Sequence, residues 1–93
     1  MKNKIIEKIE RNKDKIREKG VKKIGIFGSA IKGKRNPSDI DVLVEFQNIN
    51  SDNFFDLLFF LQKLFRKKID LVIESDLKPE LKYVKKEAKY VKI

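Results

Sequence analysis

The residues of this chain best equipped for chemistry are a Gly-Ser pair and three aspartates. Gly28-Ser29 closes a short apolar run, and Asp39-Ile40-Asp41 opens a second one soon after. On a strand, carboxylates two positions apart project to the same face roughly 7 Å apart at the backbone, so Asp39 and Asp41 can converge on one or two cations. Cations so held can grip triphosphate oxygens, lower the pKa of an attacking hydroxyl and stabilise a leaving pyrophosphate. At Gly28-Ser29 the chain leaves a strand, and a short turn through Ala30 and Ile31 would aim free backbone N–H groups at an anion. Glycine lets a phosphate come close, and the Ser29 hydroxyl can donate to a phosphate oxygen. Asp70, inside the apolar run Ile69 to Ile73, is a third candidate, because a charge there is costly unless it meets a cation or solvent. If its strand lies beside the 39–46 strand, Asp70 completes a triad able to ligate a metal or take a proton. Nucleotidyl transfer is the chemistry this set suggests.

Each part has an ordinary structural reading as well. Exposed strands often carry an Asp-x-Asp, a Gly-Ser pair often turns a strand into a helix, and Asp70 could pair with Lys67, Lys68 or Arg35. The ordered combination gives the signal its specificity. A competing pattern, Gly28 through Gly33-Lys34, matches a phosphate-binding P-loop as far as its lysine. Arg35 then stands where a Ser or Thr must ligate Mg²⁺, and a guanidinium has no lone pair to offer a cation.

The elements that must position these residues follow from size and pattern. Ninety-three residues, 41% of them hydrophobic and 40% charged, predict one globular domain over 1–93 with a single modest core. With no cysteine and no histidine, catalysis must rest on carboxylates and a hard cation such as Mg²⁺. No apolar run approaches the 18 or so residues of a membrane span, and the N-terminus lacks a signal-peptide apolar core, so a cytoplasmic protein is expected. The net charge of +9 is concentrated towards the two ends. It could attract RNA, an acidic protein or nucleotide phosphates, but the Lys/Glu mixture of these segments is what solvated helices look like, and nucleic-acid binding is not favoured.

Ile5, Ile9 and Ile16 predict an amphipathic helix over about residues 3–19, ended by Gly20 and packed at the edge of the core. Val21–Phe27 reads as a strand with glycines at 25 and 28 where the backbone approaches something closely. Residues 32–38 read as a turn. Residues 39–46 alternate, with Asp39, Asp41 and Leu43 on one face and Ile40, Val42, Val44 and Phe46 on the other. Ser51 or Asp52 can cap a helix over about 53–66 whose broad apolar face holds Phe54, Leu57, Leu58, Leu61, Leu64 and Phe65. Phe55 and Phe59 form a second patch, to be covered by another helix or by a partner. A third strand at 69–73 and a basic helix near 80–89, opened by Pro79, complete an α/β domain. Its expected sheet is small, mixed and mainly antiparallel, with helices packed largely on one face.

The series Gly28-Ser29, Asp39-x-Asp41 and Asp70 resembles the polymerase-beta-like nucleotidyltransferase superfamily, and the short length resembles its minimal nucleotidyltransferase (MNT) branch. The resemblance implies a nucleotidyltransferase-like fold, with Gly28 and Ser29 binding nucleotide phosphates and Asp39, Asp41 and Asp70 holding Mg²⁺. Many relatives read Gly-Ser-x-Ala-Arg-Gly after the strand, where this chain has Ile31-Lys32-Gly33; Lys32 keeps a charge without arginine's bidentate fork. It further implies an antitoxin that transfers AMP from ATP to a tyrosine of a HEPN-type ribonuclease toxin, and the residues agree in that Phe55 and Phe59 offer a surface for a partner that brings the acceptor hydroxyl. Two alternatives stand beside it: a non-catalytic antitoxin that neutralises its partner by binding, and a catalytic subunit that nucleotidylates a small molecule or RNA.

Overall fold

The computed structural model describes residues 4–28, 31, 39–48 and 50–93. A four-stranded sheet of order β3-β2-β1-β4 organises them: β1 (Val21–Phe27), β2 (Asp39–Phe46), β3 (Lys68–Ile73) and β4 (Lys89–Val91). β1 runs antiparallel to β2 and to β4, and β2 runs parallel to β3. The sheet is therefore mixed and mainly antiparallel, as expected. The parallel pair needs a crossover, supplied by helix α3 (Ser51–Phe65).

One face of the sheet carries the core. Ile24 and Ile26 of β1, Ile40, Val42 and Val44 of β2 and Ile69 of β3 are buried there with Ile9, Ile16, Leu57 and Leu61 from the helices. Full burial of each such aliphatic side chain contributes about 1.5–3 kcal/mol. A bulge between Val21 and Lys23 shifts the register of β1. It explains how Val21 and Ile24, three apart, both reach the core despite the two-residue period of a strand.

The expected helix over 3–19 is two helices, α1 (Lys4–Arg11) and α2 (Lys13–Glu18). Asn12 divides them: its side-chain amide donates to the Lys8 carbonyl at 2.8 Å, offering the backbone an alternative to helix continuation. Ile9 and Ile16 are both fully buried, so the pair is anchored in the core and not at its edge. Gly20 ends α2 at φ +83°, where other residues are strained.

Helix α3 starts earlier than expected and is capped by Asn50, whose side chain accepts from the Asn53 N–H at 2.8 Å. Ser51 and Asp52 lie inside its first turn. Leu57, Leu61 and Phe65 face the core, whereas Phe55 and Phe59 are exposed. The basic helix expected near 80–89 is a 3-10 turn at Pro79–Leu81, the short α4 (Tyr83–Glu87) and then β4, an edge strand beside β1. The turn expected at 32–38 lies outside the described residues.

Candidate active site

The alternation of β2 fixes which way its carboxylates point. Ile40, Val42, Val44 and Phe46 fill the core, so Asp39 and Asp41 emerge on the opposite face. In the parallel ladder Asp41 stands directly opposite Asp70, and in the antiparallel ladder it stands opposite Phe27. Asp39, two residues before Asp41, lies on the same face with Lys68 opposite it. The three aspartates therefore gather on one face, at the start of two adjacent strands. Asp39 and Asp70 are exposed and Asp41 is half-buried.

Burial pushes the Asp41 carboxyl above its ordinary range; the charges of Asp70 and then Asp39, with a hydrogen bond to the Asp70 side chain, push it further the same way. Such mutual repulsion is what a shared cation relieves, and an all-oxygen donor set suits a hard ion such as Mg²⁺. Among the described residues no three acidic side chains are already arranged to hold a metal ion. Asp41 and Asp70 instead stand side by side across the parallel ladder.

Gly28 ends β1 against this cluster. Its φ is +71°, and a Cβ there would run into the Asp41 carboxylate. Its carbonyl accepts from the Ile31 N–H at 3.2 Å. The close approach expected at Gly28 is thus to the catalytic candidate itself, while Gly25 is approached by the Tyr90 ring, 2.8 Å from where a Cβ would stand. Ser29, the expected phosphate ligand, lies outside the described residues.

Sequence reasoning missed a second cluster on this face. Glu74, just after β3, is 3.6 Å from Lys23 Nζ and 3.5 Å from Lys85 Nζ, and it accepts from the Tyr90 hydroxyl at 3.3 Å. Lys23 Nζ also lies 4.2 Å from the centre of the Tyr90 ring. Burial, and then Glu74, push the Tyr90 hydroxyl up to about 12. These contacts clasp β4 and α4 to the end of β3. Their signal in the sequence is faint: an acid closing an apolar strand, with partners 51 residues upstream and 11 and 16 downstream.

The polymerase beta nucleotidyltransferase family model matches residues 3–91. The chain belongs to that family. It is 40% identical over 84 residues to the protein adenylyltransferase MntA of Thermococcus cleftensis, covering 86% of this chain and 85% of that one. Among solved structures, a minimal nucleotidyltransferase superposes with a TM-score of 0.73 at 27% identity, covering 90% of this chain and 93% of the other. A complex of the tri-AMPylated HEPN toxin of Shewanella oneidensis with its MNT antitoxin contains a chain of the same fold, with a TM-score of 0.64 at 22% identity, covering 91% and 70%. Among the described residues no helix is long and apolar enough to cross a membrane.

Proposed function

We propose that this chain is a Mg²⁺-dependent protein adenylyltransferase that transfers AMP from ATP to a tyrosine hydroxyl of a HEPN-type ribonuclease toxin, and so acts as its antitoxin. The observation that carries the reading is the register of β2 on β3, which sets Asp70 beside Asp41 with Asp39 on the same face. The relatives support the choice of reaction: the Thermococcus protein is named as a protein adenylyltransferase, and the Shewanella complex contains an AMPylated HEPN toxin. We further assign the working unit to a single domain over 1–93, acting in the cytoplasm where ATP is available.

In this reading Asp39, Asp41 and Asp70 hold the Mg²⁺, which supplies neutralisation of the triphosphate and of the leaving pyrophosphate. Gly28, whose missing Cβ lets the backbone close on the Asp41 carboxylate, and Ser29 after it are assigned to the phosphates, with the Ser29 hydroxyl donating to one of their oxygens. Asp70, exposed on the edge strand, accepts the proton of the incoming tyrosine hydroxyl. The tyrosine oxygen bonds to the α-phosphorus as the bond to pyrophosphate breaks, so the products are AMP-tyrosine and pyrophosphate. Because the carboxylates face away from the core, the acceptor must arrive on the face of the sheet that carries them, at the end away from the Glu74 clasp.

The test is transfer of label from α-labelled ATP to the co-purified toxin. Changing even an outer partner of a metal site typically costs roughly 10–100-fold. Asp41→Asn and Asp39→Asn should therefore each lose at least a hundredfold in rate while still binding the toxin. Labelling that persists in the Asp39→Asn/Asp41→Asn double variant would falsify the assignment.

A further inference from the structure

Helix α3 has two lives. Its inner stripe is core, but its outer stripe carries Asp52, Phe55, Asp56, Phe59 and Lys63, all exposed, within about 100° of arc at 100° per residue. Phe55 and Phe59 are 50% and 57% exposed and stack on each other with ring centroids 6.1 Å apart and planes 25° apart. Phe54 meets Phe55 edge-on at 5.5 Å, so the platform is held from beneath by a side chain packed on the core. This is a preorganised aromatic surface, on the opposite side of the sheet from the aspartates. A partner seated on it would not deliver a hydroxyl to them.

The charges around the aromatic pair indicate what covers it. Acids occupy the N-terminal half of the stripe, at Asp52 and Asp56, and bases occupy the C-terminal half, at Lys63 and the C-cap Arg66. We propose that α3 is a self-association surface on which a second copy of this chain docks with its own α3 antiparallel. A two-fold axis beside Phe59 brings Phe59 onto Phe59 of the second copy. It also sets Asp56 against Lys63 of the second copy and Asp52 against its Arg66, and by symmetry each pair occurs twice. A chain of net charge +9 repels its own copies elsewhere. On this stripe the charges sum to zero and are divided between the two ends of the helix, the arrangement that an antiparallel copy complements.

The helix is about 22 Å long, so two of them crossing at about 20° bury an area at the low end of specific interfaces. The expected dimer is accordingly weak and reversible, with a Kd on the order of 10 µM. It leaves both carboxylate faces outward. Nothing in this inference depends on the transferase reading.

Sedimentation of the full chain from about 1 to 300 µM tests it. The mass should rise from monomer to dimer, and Phe59→Asp, at an exposed position where folding is indifferent, should weaken association at least tenfold. Asp56→Lys and Lys63→Asp should each weaken it when alone, because like charges then meet twice. Mixing these two variants should restore a dimer containing one of each, since every contact across the axis is again between opposite charges. A monomer at all concentrations overturns the proposal, as does a dimer indifferent to Phe59→Asp or a mixture no more associated than its parts. So does a monomeric chain that loses capture of a HEPN-type protein on Phe59→Asp, which would give the surface to a different partner.

Discussion

The two faces of the sheet are built from the same strands, residue by alternate residue, yet they obey opposite rules. The face behind the helices holds the fully buried side chains Ile24, Ile26, Ile40, Val42 and Val44, and none of the described polar or charged residues is buried with them. The other face carries Asp39, Asp41 and Asp70 at one end and the Glu74 clasp at the other, with the buried Leu43 between them on β2. On the first face every neighbour relationship is favourable. On the second, like charges stand in register, a cost that a protein retains where the fold must meet something outside itself. The difference puts most of the core on one side of the sheet and the candidate site on the other.

If that division is correct, substitutions on the two faces should separate. Leu57→Ala, on the α3 stripe that seals the core, should cost about 2–5 kcal/mol in a denaturant titration, because the fully buried site can collapse only partly. A much smaller loss would mean that the helix layer is not what holds the sheet.

Glu74→Gln probes the clasp on the opposite face, where the expected loss is only about 1 kcal/mol because both lysines stay well solvated. The sharper readout is Tyr90. Its neutral form is favoured in the fold, so its contribution is complete below the ordinary value of 10.0 and is lost as pH rises through about 12. In Glu74→Gln the ultraviolet titration of Tyr90 should move down towards 10 but stop short of it, since burial, the larger cause, remains. No movement would show that Glu74 does not face the ring.

Asp41→Asn should have the smallest effect on stability and the opposite sign. Because the fold raises the Asp41 pKa, the folded state binds a proton more readily than the unfolded one, and stability is lost as pH rises through the raised value. Removing the charge should therefore raise Tm by a few degrees at pH 7, with the two proteins converging near pH 3, in Mg²⁺-free buffer. A lower Tm at pH 7 would erase the contrast between the faces.

Much of this arrangement was legible in the chain because β2 alternates without interruption. A two-residue period with isoleucine and valine at every inner position leaves Asp39 and Asp41 no other side to occupy. Asp70 was legible as a charge in an apolar run, but only pairing could set it opposite Asp41, and strand register is a non-local property. The division of the first helix was not legible, because it turns on which backbone carbonyl the Asn12 side chain reaches. Asn50, Ser51 and Asp52 are near-equal capping residues, so the choice among them fell to the tertiary path of the chain. Strand β4 escaped notice because three residues, Lys89-Tyr90-Val91, carry no periodicity of their own; they are a strand because β1 has an open edge beside Gly25. The spacing of Phe55 and Phe59 reads as a separate patch, and the structure leaves both exposed.

The link from α3 into β3 has one more consequence. Arg66, in a left-handed conformation at φ 54°, ends the helix, and two residues later β3 begins at Lys68, so that Ile69 is turned into the core and Asp70 is turned out. Loss or gain of a single residue in this junction would exchange those two side chains, taking a hydrocarbon from the interior and an acid from the carboxylate cluster at one stroke. Evolution cannot retune the length of this joint for catalysis without also wagering the integrity of the whole molecule.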